Sequence, residues 1–201
     1  MKGRSVLWFM VTLVVLVSRA LAVAQTNQYP TQQDVQRLTR GFAQRVERSE
    51  PYLSPANDPL STRRLRSFVN AWSQVDSSVA PFLGYWTGGN GTDGFMMIFP
   101  SRIKGKVCVI GIDEGSAGFS LETVQNSQIR FTRIPHLLVR QGNYLGLIEK
   151  VNNQSQIYAY GAAKPLEPPV QSSILLQTPE ASRVIQQFNT SGCTASLPNR
   201  R

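Results

Sequence analysis

The feature that most constrains the fold is a run of short apolar segments, from about residue 84 to residue 163, separated by turn residues. Within residues 106–112, Cys108 and Ile110 share one face, while Val107 and Val109 share the other. Apolar residues on both faces are typical of a central strand that is covered on both sides. Six or seven such strands with short connections predict a strongly curved antiparallel sheet or a small open barrel.

Turn residues mark the strand ends within this sheet region, which spans residues 81–164. Gly142-Asn143 suits a two-residue hairpin turn, and Lys104-Gly105 and residues 152–155 have similar turn composition. The segments predicted as strands are residues 95–99, 106–112, 119–123, 129–133, 137–140, 144–150 and 156–162.

Two helices are predicted before the sheet, within residues 31–80. Thr31 is a suitable N-cap, Asp34 suits the first turn, and Pro51 lies beyond the end of the first helix. The second helix is predicted over residues 61–78. Because each helix has a single apolar stripe, we expect them to form an antiparallel hairpin. The stripe residues are Val35, Leu38, Phe42 and Val46 in the first helix and Leu65, Phe68, Trp72, Val75 and Val79 in the second.

The C-terminal part, residues 165–201, is predicted as a helix and a frayed tail. Residues 174–176 are apolar and suit an added edge strand. Thr178-Pro179-Glu180 has the composition of a helix start, and Gly192 suits its end. The expected fold class is therefore α+β: a helical hairpin, an antiparallel sheet or barrel and a C-terminal helix, with residues 31–193 forming one structural domain.

The N-terminus has the pattern of a secretory signal peptide over residues 1–24. Lys2 and Arg4 precede an apolar segment, residues 6–17, that is shorter than the ~20 residues of a membrane-spanning helix. Ala22-Val23-Ala24 then provides a cleavage site. We expect an exported protein, periplasmic or extracellular, that begins with a flexible leader over residues 25–30. Arg19 near the cut leaves an alternative, in which the uncut segment anchors the chain to a membrane.

The cysteines and the charge limit the classes of partner. In an oxidising compartment, Cys108 and Cys193 are expected to form one disulfide, worth about 4 kcal/mol in the chain-entropy model. The alternative is a buried thiol at Cys108 and a free one at Cys193. A metal site is not favoured, since His136 is the only histidine. The net charge of +9 comes from Lys and Arg residues that are spread along the chain, so nucleic acid is not predicted as a partner.

Gly84-Tyr85-Trp86, at the start of the sheet region, resembles the opening of a lipocalin-type barrel, in which the tryptophan plugs one end. The arginine that partners this tryptophan near the last strand of such barrels is not evident within residues 156–163. The sheet region is also short for eight long strands around a ligand cavity. No family is assigned on these three residues, and Trp86 is interpreted either as a core plug or as a ligand platform.

No catalytic residue is assigned from the sequence. His136 has no accompanying nucleophile motif. Asp113-Glu114 with Glu122 suggests a two-carboxylate hydrolase, but adjacent acids at a turn are commonly solvated. A hydrolase that uses Asp113, Glu114, Glu122 or His136 is therefore kept as the alternative, and it requires these side chains to converge in one cleft.

The function predicted first is that of an exported, non-enzymatic binding or accessory protein without a cofactor. Its partner is expected to be a protein, a glycan or a small amphipathic ligand. Tyr158 and Tyr160 share one strand face, and Asn90 lies in a glycine-rich tip, so both regions are candidates for contact. The candidate binding residues are Tyr85, Trp86, Asn90, Tyr144, Tyr158 and Tyr160.

Overall fold

The structure is a computed structural model of the chain, and it describes residues 29–48, 59–88, 94–161 and 163–198. The predicted signal peptide, most of the loop before the second helix and Asn90 lie outside the described residues. Tyr29, in the described part of the predicted leader, contacts the barrel: its hydroxyl donates a hydrogen bond to the carbonyl of Phe131 at 2.7 Å. The flexibility of the leader stays a prediction.

In the part of the chain that the structure describes, eight strands form one antiparallel meander in which each strand pairs with the next along the chain. The alternating segments are confirmed as strands, and Gly84–Thr87 adds one at the start of the sheet. The first and last strands also meet, because Gly88 bridges Tyr160 and Tyr85 exchanges two backbone hydrogen bonds with Lys164. The sheet is thus a nearly closed barrel. The strands are β1 (Gly84–Thr87), β2 (Phe95–Pro100), β3 (Lys106–Asp113), β4 (Ser116–Gln125), β5 (Gln128–Arg130), β6 (Leu137–Gln141), β7 (Tyr144–Val151) and β8 (Gln154–Tyr160).

The turn between β7 and β8 shows why the chain reverses so tightly. Asn152 and Asn153 have φ angles of 49° and 64°, in the left-handed region that asparagine tolerates better than most residues. A two-residue turn with positive φ at both central positions matches the twist of the flanking strands. The asparagine pair thus sets the register in which Val151 pairs with Gln154.

Four α-helices of the described ranges flank the barrel, and together with the meander they confirm the α+β class. Val35 and Phe42 of the first helix pack on the outer face of β6–β8, while Val184 and Phe188 of the last helix pack on the outer face of β2 and β3. The helices are α1 (Gln32–Glu47), α2 (Pro59–Ser73), α3 (Ser173–Leu176) and α4 (Ala181–Thr190).

The two N-terminal helices are confirmed, but they do not share one apolar seam as expected of a hairpin. The buried residues of α1 belong to the cluster on β6–β8, whereas Trp72 of α2 belongs to the cluster inside the barrel. Helix α2 also ends at Ser73, earlier than predicted. The Asp76 carboxylate accepts hydrogen bonds from the backbone N–H and the hydroxyl of Ser78, which favour a turn there.

Three C-terminal predictions are wrong in detail. Residues 174–176 lie in helix α3 and not in an edge strand. Thr178 does not cap α4, because its hydroxyl donates a hydrogen bond to the Leu175 carbonyl, and α4 begins after Glu180. The tail is attached as far as Ser196, whose carbonyl accepts a hydrogen bond from Trp72 Nε1 at 3.1 Å.

Cys108 and Cys193 form the predicted disulfide bond, with their Cα atoms 6.1 Å apart. Cys108 lies on the outer face of β3, and Cys193 follows α4. The bond therefore ties the C-terminal helix to the barrel wall, and the alternative of two separate thiols is wrong. Within the described ranges, no helix combines the length and the apolar character needed to span a membrane.

Candidate functional site

A cavity of about 950 Å³ occupies one end of the barrel, and we call it the barrel cavity. It opens where β3 turns into β4 and where the chain passes from β5 to β6. Its walls come from β2, β3, β4, β7 and β8, whose inward-facing side chains alternate with outward-facing ones. Apolar residues such as Met96, Val109 and Leu147 line it together with polar residues. The described residues of the wall thus form a cavity that is open to solvent and is lined by both apolar and polar side chains.

The opposite end of the barrel is closed by Trp86. Its side chain is fully buried, and its indole N–H donates a hydrogen bond to the carbonyl of Phe82 at 2.9 Å. Phe82 lies in the 3-10 turn that precedes β1 and is buried in the same cluster. Since Trp86 does not line the barrel cavity, the plug interpretation is the one that the geometry supports.

Trp86 has a cationic partner, but this arginine is carried by β6 and not by the last strand. The Arg140 guanidinium, carried by β6, lies 4.8 Å from the centre of the Trp86 ring and donates a hydrogen bond to the Pro81 carbonyl at 2.6 Å. Burial lowers the pKa of Arg140 to about 10. The sequence contains a signal that could have identified Arg140 as an inward-facing residue. Arg140 shares one face of β6 with the buried Leu138, and an apolar residue is expected at such a position.

Tyr158 and Tyr160 of β8 line the barrel cavity from the same side. Tyr160 is buried, and its pKa is raised to about 12 by burial and then by the negative charges of Asp113 and Glu149. The opposite face of β8 carries Ala159, which packs beneath α1. The sequence left open whether the face of β8 that carries Tyr158 and Tyr160 is exposed or part of the core. In the structure, this face forms part of the cavity wall.

The other candidate binding residues lie elsewhere. Tyr85 stacks on Phe95 with ring centres 5.8 Å apart, within the cluster on the outer side of the barrel. Burial, and then the charge of Glu167, raises the pKa of Tyr85. Tyr144 packs in the cluster beneath α1. The structure thus brings together two of the six predicted residues in the barrel cavity and distributes Tyr85, Trp86 and Tyr144 to other places.

Glu122 is the most unusual residue of the cavity wall. It is fully buried, and its Oε2 accepts a hydrogen bond from the Thr132 backbone N–H at 3.0 Å. Its Oε1 is buried without a hydrogen-bond partner. Burial raises the pKa of Glu122, and the nearby Ser120 hydroxyl, Thr132 and Arg133 oppose this rise without cancelling it.

A second acidic group of the cavity is paired with the only histidine. His136 Nε2 lies 2.8 Å from Glu149 Oε2, and both side chains are about one quarter exposed or less. Burial lowers the pKa of His136, while the charge of Glu149 opposes that effect. Glu149 was missed by the sequence reasoning, although it shares the inward face of β7 with Leu145 and Leu147.

Asp113, Glu114, Glu122 and His136 all line the barrel cavity, but lining one large cavity does not by itself bring them within reach of one another, as the hydrolase alternative requires. The spacing of the carboxylates is less favourable. Asp113 pairs with Ser116, which lies six residues before Glu122 on β4, a distance of about 20 Å along a strand. A carboxylate pair in glycosidases is separated by about 5–9.5 Å. Asp113 and Glu122 therefore cannot act together as such a pair.

The chain was compared with models of protein families, with curated proteins and with solved structures, and none of the three comparisons found a match.

Proposed function

We propose that this protein is an exported, non-enzymatic binding protein that holds a small amphipathic ligand in the barrel cavity. The observation that carries the proposal is the cavity itself, whose volume of about 950 Å³ lies within the usual range for ligand sites, about 300–1,000 Å³. Its wall combines apolar residues with a few polar groups, Tyr158, Tyr160 and Glu122 among them. This combination suits a ligand with an apolar body and one polar group.

The asymmetry of the barrel also supports ligand binding. One end is filled by Trp86 and the apolar residues around it, which give the barrel its stability. The other end retains two glycines, Gly111 and Gly118, that face each other on β3 and β4. A Cβ atom at either position would have no atom of the protein within 4 Å. Residues without side chains keep this part of the cavity empty.

Export is supported by two independent features. The Cys108–Cys193 disulfide is a bond that persists in oxidising compartments. The pattern of residues 1–24 is that of a cleavable signal. Mass spectrometry of the protein purified from its native host tests this part: a chain that begins at Gln25 supports export with cleavage, whereas an intact N-terminus supports the membrane-anchored alternative.

A cavity-filling substitution tests ligand binding. N-Phenyl-1-naphthylamine, a neutral fluorescent reporter of apolar sites, is titrated into the wild-type protein and into Gly118→Phe, whose ring we expect to enter the cavity. We expect bright saturable fluorescence with the wild type and its loss in the variant. Gln125→Phe, which adds the same ring at an exposed position of β4, is the matched control and keeps the wild-type signal.

The thermal midpoints of both variants are measured by circular dichroism, so that loss of binding is separated from loss of folding. Failure of the wild type to bind the reporter, with calorimetry also showing no binding of decanol, decylamine or decanoate, would contradict the proposal. Equal binding by Gly118→Phe and wild type would also contradict it, because the reporter would then bind outside the cavity.

A hydrolase remains the second candidate because His136 and Glu149 form a close pair in the cavity that Glu122 also lines. Its test is hydrolysis of p-nitrophenyl acetate and of p-nitrophenyl glycosides by the wild type and by His136→Ala. Turnover that disappears in His136→Ala would favour this candidate over the binding protein.

A further inference from the structure

The barrel cavity has a charge opposite to that of the chain. The chain has a net charge of +9. The described residues of the cavity wall include four acidic side chains, Asp113, Glu114, Glu122 and Glu149, against two basic ones, Arg133 and His136, and His136 is paired with Glu149. A concave site lined by one sign of charge attracts ligands of the other sign. The field inside this cavity thus favours a cation, although the whole protein attracts anions.

Glu122 provides a specific anchor within this field. Of its two carboxylate oxygens, Oε2 is bonded to the Thr132 backbone N–H at 3.0 Å and to the Thr132 hydroxyl at 3.3 Å. These two bonds attach β4 to the segment between β5 and β6, and they account for a structural role of Oε2. Oε1 is buried without a hydrogen bond of good geometry, although the Ser120 hydroxyl on the same strand lies near enough to the carboxyl group to lower its pKa. A buried acceptor without a donor destabilises the fold unless another molecule supplies the hydrogen bond.

The surroundings of Glu122 contribute the apolar part of the site. Phe131 follows β5 and also lines the cavity, as do Leu147 of β7 and Tyr158 of β8. Aromatic rings attract cations through their faces, and aliphatic side chains accept an alkyl or aryl body. An anionic amphiphile, in contrast, would place its charge among the four carboxylates.

We propose that the ligand of the barrel cavity is an amphipathic cation, an ammonium group on an apolar body, with the ammonium donating a hydrogen bond to Oε1 of Glu122. This inference rests on the proposed function and names its ligand class. The ammonium occupies the position at which the protein leaves a carboxylate oxygen without a donor, while the apolar body contacts Phe131, Leu147 and Tyr158. Glu149 is less available, because its Oε2 already faces His136 at 2.8 Å.

The test is displacement of N-phenyl-1-naphthylamine by three compounds with the same ten-carbon chain: decylamine, decanol and decanoate. For the wild type at neutral pH, we expect decylamine to displace the reporter at a concentration about tenfold lower than decanol, since a charge-assisted hydrogen bond is roughly twice as strong as a neutral one. Decanoate is expected to be the weakest of the three.

Glu122→Gln removes the charge and keeps the shape. We expect decylamine to lose its advantage in this variant while decanol is unaffected. Glu114→Gln, which removes a charge from the exposed turn at the mouth, is the matched control and retains most of the preference. Thermal midpoints establish that both variants are folded.

The outcomes separate the two proposals. If the reporter binds and decylamine is no better than decanol in the wild type, the cation inference is overturned and the binding function stands. A preference for decylamine that survives in Glu122→Gln overturns the role of Glu122 as the anchor. If neither the reporter nor any of the three compounds binds to the wild type, the proposed function itself is overturned.

Discussion

Substitution of Gly146 by alanine tests the packing of α1 on the barrel. Gly146 lies on the outer face of β7, between Val139 of β6 and Ala159 of β8. A Cβ atom at this position would lie 2.8 Å from Cδ1 of Ile157 and 3.1 Å from Cε1 of Phe42. Carbon atoms that are not bonded attract each other best at about 3.5–4.0 Å, so the new methyl group must displace the helix or the side chains.

The magnitude follows from two opposing effects. Overpacking of a buried site typically costs about 1–3 kcal/mol. Alanine recovers about 0.4–1 kcal/mol, because it restricts the unfolded chain more than glycine does. Phe42 is fully buried and cannot move into solvent without loss of its own contacts, so the unfavourable effect dominates. We expect Gly146→Ala to lower the free energy of unfolding by about 1–2 kcal/mol.

Urea denaturation followed by far-ultraviolet circular dichroism measures this change. Gly118→Ala is the matched control, since Gly118 is also a strand glycine but a Cβ atom there would meet nothing within 4 Å. We expect this variant to be more stable than the wild type by about 0.4–1 kcal/mol. The double variant Gly146→Ala/Ile157→Val removes the nearest atom and should recover part of the loss, with a measurable coupling between the two sites.

Two results would refute the reasoning. Equal stabilities of Gly146→Ala and Gly118→Ala would mean that Gly146 is not covered by α1. A destabilised Gly146→Ala that shows no coupling with Ile157→Val would mean that the strain arises elsewhere.

Three further predictions concern the elements that hold the barrel together. Replacing Cys108 and Cys193 by alanine removes a crosslink over 85 residues and should lower the free energy of unfolding by about 4 kcal/mol in urea titrations. A loss below about 1 kcal/mol would contradict the entropic account. Burial raises the pKa of Asp76, but the hydrogen bonds that its carboxylate accepts from Gly105 and Ser78 outweigh burial, so the pKa is lowered from 3.8. The ionised carboxylate therefore stabilises the fold fully above pH 3.8, and this stabilisation is lost as the pH falls below that value. Urea midpoints measured against pH should therefore fall less steeply in Asp76→Asn, and identical profiles would contradict this assignment. Arg140→Met removes the cation over Trp86 and a hydrogen bond to a carbonyl, and we expect a loss of about 2 kcal/mol with altered tryptophan fluorescence; unchanged stability would show that the buried charge costs as much as its contacts contribute.

Much of the fold could be predicted because strand patterns are local. The alternation of Val107 and Val109 with Cys108 and Ile110 predicted a strand buried on both faces, and the two sets do lie in different clusters. Turn residues such as Gly142 and Asn153 located the chain reversals for the same reason. Residues 174–176 were wrongly assigned, because a short apolar segment has no periodicity that separates a strand from a helix.

The candidate site was predicted only in part. Tyr158 and Tyr160 were correctly placed on one strand face, but the sequence did not indicate whether that face meets solvent, a helix or a cavity. Arg140 and Glu149 were overlooked because a single charge on an apolar face is commonly a solvated residue. Their inward position became visible only once β6 and β7 were paired with their neighbours.

The sequence by itself determined the strands, their two faces, the turns and the disulfide partners, because each depends on residues close together in the chain or on the presence of two cysteines. Only the tertiary structure decided that the meander nearly closes, that Arg140 covers Trp86 and that the buried Glu122 belongs to the wall of a cavity. The physical reason is that closure depends on the register of seven successive strand pairings, and each register is set by packing as well as by the turns. A shift of one residue in any of them would exchange the cavity wall with the outer surface.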